Sequence, residues 1–178
     1  MQKQTTNLTY AAFFTALTAI GAFIKIPFIL APFTLQTLFT VMAAVLLPTR
    51  WAVLSQVTYL VLGLAGLPIF AQGGGIGYVL QPTFGYLVAL PFTAFIISRM
   101  MPVQGSFTAC FVVLIGQIIL LLIGSMWMAG NLVLIQGKNI EFTKIIFYGA
   151  IVFIPSMLLK ALVTVFVYKR FKNILNTG

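Results

Sequence analysis

The chain is poorest in acidic side chains, because Glu141 is the only Asp or Glu among its 178 residues. Histidine is absent, and Cys110 is the single cysteine. These absences exclude a histidine base, an intrachain disulfide and a metal site built from several carboxylates, imidazoles or thiolates. We therefore expect no catalytic residue, no metal and no cofactor, and we predict that the chain is not an enzyme.

Charged residues of either sign are scarce. They make up 6% of the chain and hydrophobic residues 61%, whereas a soluble domain carries about 25% charged residues. Neither residues 51–98 nor residues 100–137 contain a charge. The sequence thus predicts an integral membrane protein with one transmembrane domain over residues 1–178. Its formal charge of +9 is scattered and forms no basic face, so we expect membrane lipid and not nucleic acid as a partner.

Apolar runs predict an all-α bundle of six transmembrane helices, since a span takes about 20 residues. The runs cover residues 8–24, 35–47, 51–67, 83–98, 107–128 and 143–168. Six Lys and Arg residues fall on the side of the two termini and three on the other side. Because cations in short loops favour the cytoplasm, both termini are predicted there, in a multi-pass protein of the cell membrane.

Lys160 is the only charge between Ile145 and Tyr168, in the last apolar run. A cation inside a span costs about 2.5–3.5 kcal/mol, so it needs a partner or a route to water. Glu141 lies 19 residues earlier, about 28 Å away along one continuous helix. The alternatives are a backbone carbonyl, water, the anionic end of a small ligand, or an extended side chain that reaches the cytoplasmic headgroups.

Residues 67–82 form an apolar segment that glycine and proline interrupt. It is unsuited to a helix, and its free backbone groups cannot face lipid. We expect it to fold back over the protein as a ligand lid, the alternative being a mobile loop. A run of small residues lets the main chain approach a ligand at Gly73, Gly74 and Gly75. Gln81, Thr83 and Tyr86 follow it and can supply hydrogen bonds.

The second span opens with polar side chains. Thr34 is expected to cap this helix. Gln36 offers both a donor and an acceptor near the outer interface, which suits a neutral polar ligand group. The alternative is that these residues are no more than a cap and an interfacial amide.

The first span carries small residues four apart, Ala12 and Ala16. Such pairs let two helices approach closely in a membrane. Two interpretations remain open: docking to a partner subunit, or packing within the bundle.

Three segments resemble a known family: PFTLQT at residues 32–37, GLPIFAQGGGIGYVLQPTFGYL at 66–87 and PSMLLK at 155–160. They are similar to BioY, the biotin-specific S component of energy-coupling factor transporters. The resemblance implies a membrane subunit that captures biotin from the outer side, with residues 25–34 as a lid. It also implies three partners: a transmembrane coupling protein, which contacts an AxxxA face matched by Ala12 and Ala16, and two ATP-binding cassette ATPases that hydrolyse ATP.

The chain departs from the family in the last span, where the family pattern resembles Asp-x-x-Lys. Lys160 is kept, but Met157 stands at the acid position. We expect Lys160 to bind the biotin carboxylate and another polar residue to bind the ureido ring. The candidates for polar contacts are Thr34, Gln36, Gln81, Tyr86 and Asn131, and the candidates for aromatic walls are Tyr78 and Trp127. The alternatives are an S component for another small vitamin and a membrane assembly subunit without transport.

Overall fold

The computed structural model describes residues 2–27, 32–101, 103, 105–137 and 141–175. Residues 28–31, in the middle of the predicted lid, lie outside this description. The described chain is mostly helical. Its helices are α1 (Gln2–Phe23), α2 (Gln36–Leu46), α3 (Thr49–Leu64), α4 (Phe84–Met100), α5 (Ser106–Gly130), α6 (Phe142–Gly149) and α7 (Ile154–Leu175). Strands β1 (Lys25–Ile26) and β2 (Phe33–Thr34) pair antiparallel, with Lys25 opposite Thr34.

The last predicted span is interrupted in the structure. Residues 143–168 form α6 and α7, with the 3₁₀ turn Ile151–Phe153 between them. Pro155 is the second residue of α7, where its missing N–H breaks no helical hydrogen bond. The prediction of a single helix over residues 143–168 is therefore wrong. In the described residues, two helical stretches are long and apolar enough to cross a membrane, Ser106–Ile135 and Ile151–Phe171.

The helices enclose two neighbouring clusters of buried side chains. The alanine-rich cluster lies between α1, α2, the start of α5 and the middle of α7. Six of its fifteen buried residues are alanines: Ala43, Ala44, Ala52, Ala94, Ala109 and Ala161. The aromatic cluster lies at the other ends of α3 and α4, and its ten buried residues include Tyr59, Phe70, Tyr78 and Phe84. Small side chains bring helix backbones together, and large rings hold them apart.

A buried amide ties the first three helices together. Gln56 on α3 accepts a hydrogen bond from Thr40 Oγ1 on α2 at 2.8 Å. Its Nε2 donates to Thr18 Oγ1 on α1 at 3.4 Å. All three residues are fully buried. Interhelical hydrogen bonds of this kind hold polar side chains where lipid offers no partner.

The glycine-rich segment folds back onto α3, as predicted. Phe70 and Tyr78 are buried, and the Phe70 ring contacts the rings of both Tyr78 and Tyr59. The Gly75 N–H donates to the Gly63 carbonyl at the end of α3, at 2.7 Å. A 3₁₀ turn, Ile76–Leu80, then leads to α4. Aromatic burial and backbone hydrogen bonds thus anchor a segment that has no long helix of its own.

Candidate substrate-binding site

A cavity of about 80 Å³ lies between α2, α4, α5 and α7, next to the hairpin and the glycine-rich segment. A single water molecule needs a cavity volume of roughly 10–15 Å³, so this cavity is larger than one water requires. Its polar lining residues are Thr34, Gln36, Thr37, Tyr78, Thr83, Tyr86, Gln117, Ser156 and Lys160. Its apolar lining residues are Pro32, Ala71, Leu87, Leu90, Leu120, Leu121, Phe153 and Met157.

Lys160 reaches from α7 into this cavity, towards the start of α2. Its Nζ donates to the Thr34 carbonyl and to Thr37 Oγ1, both at 2.7 Å. Both acceptors are uncharged, so they satisfy the geometry of the ammonium without neutralising its charge. Glu141 forms an exposed ion pair with Lys144 at 3.4 Å instead. The alternative of a lysine extended towards headgroups is therefore wrong, and an anionic ligand would still find an unneutralised cation.

Two buried amides line the same cavity. Gln36, 5% exposed, begins α2, and its side chain has no protein hydrogen-bond partner among the described residues. Gln117, 4% exposed, comes from the middle of α5 and donates from Nε2 to the Met157 carbonyl at 3.3 Å. The Thr83 hydroxyl is buried beside Tyr78 without a hydrogen bond of ordinary geometry. These groups leave donors and acceptors available to a ligand.

Aromatic side chains form one wall of the cavity. Phe153, in the 3₁₀ turn before α7, contacts the Phe33 ring at 4.6 Å and the Tyr86 ring at 6.2 Å between centroids. Tyr86 donates its hydroxyl hydrogen to the Gly149 carbonyl, which fixes the ring between α4 and α6. The break between α6 and α7 thus places a ring on the cavity that a continuous helix would have placed elsewhere.

The two outer segments are joined beside the cavity. Lys25 on β1 donates from Nζ to the carbonyl of Ala71 in the glycine-rich segment. Ala71 and Thr34 both line the cavity. The hairpin and the glycine-rich segment therefore form one connected rim. Thr34 belongs to β2, and the residue before α2 is Leu35, which makes no side-chain cap; the prediction that Thr34 caps this helix is wrong.

The three consecutive glycines lie away from the described cavity lining. Gly73 and Gly75 have φ angles of +121° and +94°, which favour glycine because a Cβ is disfavoured there. A Cβ on Gly74 would collide with the Leu67 carbonyl. In this structure the glycines shape the turn and its packing on α3, and a direct approach to a ligand stays a prediction.

Gln81, Trp127 and Asn131 also lie outside the described lining. Trp127 donates from Nε1 to the Gln81 carbonyl at 3.3 Å, and its ring packs on Phe84. Asn131 donates to the Leu80 carbonyl at 2.9 Å and accepts from Gln136. These polar atoms join the end of α5 to the glycine-rich segment, and their contacts with a ligand stay a prediction.

The small residues of α1 divide between two faces. Ala12 and Ala16 are exposed on the outside of the bundle. Thr15 and Thr18, on the opposite face, are buried, and Thr15 Oγ1 bonds to the Ser55 carbonyl at 2.9 Å. Packing within the bundle thus uses the threonines and leaves the alanine pair accessible.

Several cavity residues were not identified from the sequence. Thr37 and Ser156 lie next to predicted residues, and Phe153 depends on the break between helices. Gln117 carried a usable signal, because it is the only amide in the apolar sequence of α5. Only the packing of α5 against α7 shows that this amide faces the site.

The sequence of this chain is similar to those of known proteins. The BioY family model matches residues 1–177. The biotin transporter BioY of Lactococcus lactis is 33% identical over 178 residues, covering 94% of this chain and 90% of that protein. A relative named as a probable biotin transporter BioY, from Lysinibacillus sphaericus, is 54% identical over 99 residues, which are 56% of this chain and half of that protein.

A solved structure also resembles the whole fold. It is the crystal structure at 2.1 Å of the S-component for biotin from an ECF-type ABC transporter. It superposes with a TM-score of 0.83 at 32% identity, over 97% of this chain and 93% of that one. The resemblance read from the sequence segments is thereby confirmed: this chain belongs to the BioY family.

Proposed function

We propose that this chain is the biotin-binding S component of an energy-coupling factor transporter and that its cavity receives biotin. The family match, the names of its relatives and the similar S-component structure all support this assignment. The chain then serves as a substrate-binding subunit and not as an enzyme. It needs no cofactor, and its energy comes from ATP hydrolysed by other subunits.

The observation that carries the proposal is the state of Lys160. Its ammonium sits in a cavity of the helical bundle and is held by one carbonyl and one hydroxyl. Biotin ends in a carboxylate, which forms hydrogen bonds to an ammonium that are roughly twice as strong as neutral ones. We propose that the carboxylate joins or replaces the two threonine oxygens at Lys160.

The remaining lining suits the rest of the biotin molecule. Leucines, Met157 and Phe153 offer apolar contact to the bicyclic ring and the tail. Amides and hydroxyls can meet the ureido group, which has two donors and one acceptor. Pockets that are mostly apolar with a few placed polar groups are typical of small-molecule sites. The predicted contacts of Gly73, Gly74, Gly75, Gln81, Trp127 and Asn131 would require the glycine-rich segment to move when biotin binds.

Binding to purified protein tests the assignment. In calorimetric titrations with biotin, thiamin, riboflavin, pantothenate and nicotinate, we expect heat of binding for biotin alone. Binding of a different vitamin would make the chain an S component of other specificity. If none of the five vitamins binds, the role in substrate capture is contradicted, and the alternative of a membrane assembly subunit without transport is favoured.

We further propose six spans in the cell membrane, both termini in the cytoplasm, and a cavity that opens to the outer side. The excess of cations on the side of the termini supports this orientation. A reporter domain that is active only in the cytoplasm should be active when it is fused to either terminus. Loss of its activity at either terminus would overturn the topology.

The exposed alanine pair supports docking to a transmembrane coupling protein, which would bring two ATP-binding cassette ATPases. Ala12→Trp should abolish co-purification with the coupling protein, because a large ring prevents close helix approach. Its biotin affinity should stay unchanged. Leu122→Trp, on an exposed position of α5, is the matched control and should assemble normally. Normal assembly of Ala12→Trp would show that another face docks.

A further inference from the structure

We propose that Gln117 is a specificity-determining residue whose side-chain oxygen accepts a hydrogen bond from a ring N–H of the ligand. This inference rests on the proposed function, because it concerns which part of the biotin molecule the residue contacts. Gln117 is not among the site residues predicted from the sequence. It emerges from three observations: the burial of the amide, its position on the cavity, and the use of only one of its hydrogen-bonding groups by the protein.

The orientation of this amide follows from its anchor. The Met157 carbonyl can only accept, so the nitrogen end of Gln117 must be the end that faces it. This bond joins α5 to α7 and fixes the amide from one side. The oxygen end has no protein partner among the described residues, although the residue is 4% exposed and lines the cavity. The protein thus holds a buried acceptor in a set orientation with its lone pairs free.

The position of Gln117 makes such an unused acceptor informative. It lies in the middle of α5, the helix with the most hydrophobic sequence of the described chain. An amide buried without full hydrogen bonding costs about 1–3 kcal/mol. A leucine or methionine would pack there without that cost. The acceptor oxygen lies next to the cavity, so its partner must come from what the cavity holds, and a ligand N–H is such a partner.

The other polar groups of the cavity are less suited to this role. The described lining residues include no carboxylate. The Tyr86 hydroxyl is bonded to Gly149, and the Thr37 hydroxyl to Lys160. Gln36 has no anchor, so its amide can present either end to a ligand. Gln117 is the lining amide whose acceptor end is fixed by the protein, and a ring N–H is the ligand group that it complements.

The first test compares biotin with an analogue methylated on both ring nitrogens, in wild-type protein and in Gln117→Met. The wild type should prefer biotin. In Gln117→Met this preference should shrink by about tenfold, because a hydrogen bond worth about 1.4 kcal/mol is lost for biotin only. The preference for biotin over its methyl ester should stay unchanged, since Lys160 reads the carboxylate. A purely structural clamp would weaken biotin and the N-methylated analogue equally, and an unchanged ratio would overturn the proposal.

A second variant covers the case in which Gln117→Met fails to fold. Gln117→Glu keeps an acceptor and adds negative charge, so it should shift the preference from biotin towards 2-iminobiotin, whose ring is a cation, by about tenfold or more. Gln56→Met removes a buried amide that lies outside the cavity lining and serves as the control. It should lower thermal stability and leave both ligand ratios unchanged.

The outcomes separate this inference from the function on which it rests. If the wild type binds no biotin, the proposed function itself fails. If the wild type binds biotin but the ratios do not respond to either Gln117 variant, the function stands and the role of Gln117 is refuted.

Discussion

The alanine-rich cluster and the aromatic cluster share α3, α4, α5 and α7 but differ in composition and in their relation to the cavity. The first has six alanines and two aromatic rings among its fifteen buried residues. The second has one alanine and four aromatic rings among ten. Six residues that line the cavity belong to the aromatic cluster, and none of its described lining belongs to the buried alanine-rich cluster.

This difference shows how a helical bundle can be closed at one end and open at the other. Alanines let α2, α3, α4, α5 and α7 meet closely, as small residues do in membranes. Aromatic rings and the break between α6 and α7 separate the helices further along and leave space. The charge of Lys160 lies where the bundle opens, and the packing at the closed end holds the helices in register.

The largest expected effect comes from the charge at the open end. Lys160→Met should weaken biotin binding by about 100-fold or more, equivalent to about 2.7 kcal/mol, because it removes a charge-assisted hydrogen bond to the carboxylate. Biotin methyl ester should lose much less. Calorimetric titration of both ligands measures the difference.

Lys144→Met is the matched control for the loss of a cation. Its Nζ pairs with Glu141 in an exposed position, so biotin affinity should stay at the wild-type value. If Lys160→Met weakens the binding of biotin and of its methyl ester equally, Lys160 does not bind the carboxylate and is only a structural contact.

A substitution at the closed end should change stability and not selectivity. Ala161 is fully buried on α7. Ala161→Leu should destabilise the fold by about 1–3 kcal/mol, because the close-packed helices have no room for the extra carbons. Thermal unfolding in detergent checks this, and the ratio of biotin to methyl-ester affinity should be unaltered. A changed ratio without lost stability would break the distinction between the two clusters.

The smallest expected effect concerns the rim. Lys25→Met removes the bond to the Ala71 carbonyl and should speed biotin dissociation by about threefold, since one exposed hydrogen bond contributes about 0.5–1.5 kcal/mol. Lys25→Arg can donate to the same carbonyl and should restore the wild-type rate. Stopped-flow displacement of a fluorescent biotin conjugate measures the rates. Identical rates in all three proteins would show that the contact does not hold the rim closed.

Sequence reasoning identified the features that composition and spacing determine. Scarce charge predicted a membrane bundle, and the isolation of Lys160 showed that its ammonium needs a partner or a route to water. The apolar, glycine-rich composition of residues 67–82 predicted a segment folded back on the protein. These inferences rest on local cost, because a buried cation or a bare backbone must be satisfied in any fold.

Features that depend on tertiary packing were missed. The break between α6 and α7 lies in an apolar run whose only local signal is Pro155, and a proline fits both a kinked helix and a helix start. The hydrogen bonds from Trp127 and Asn131 to the Gln81 and Leu80 carbonyls were not foreseen, and the predicted contacts of these two residues with a ligand stay predictions. Gln117 was overlooked because the side of α5 that meets α7 is set by the whole bundle.

A crystal structure of this chain with biotin bound would test most directly whether the cavity holds biotin and Lys160 binds its carboxylate. We expect biotin in the cavity between α2, α4, α5 and α7, with a carboxylate oxygen within about 3 Å of Lys160 Nζ, a normal length for such a bond. Biotin bound outside this cavity, or with its carboxylate remote from Lys160, would contradict it.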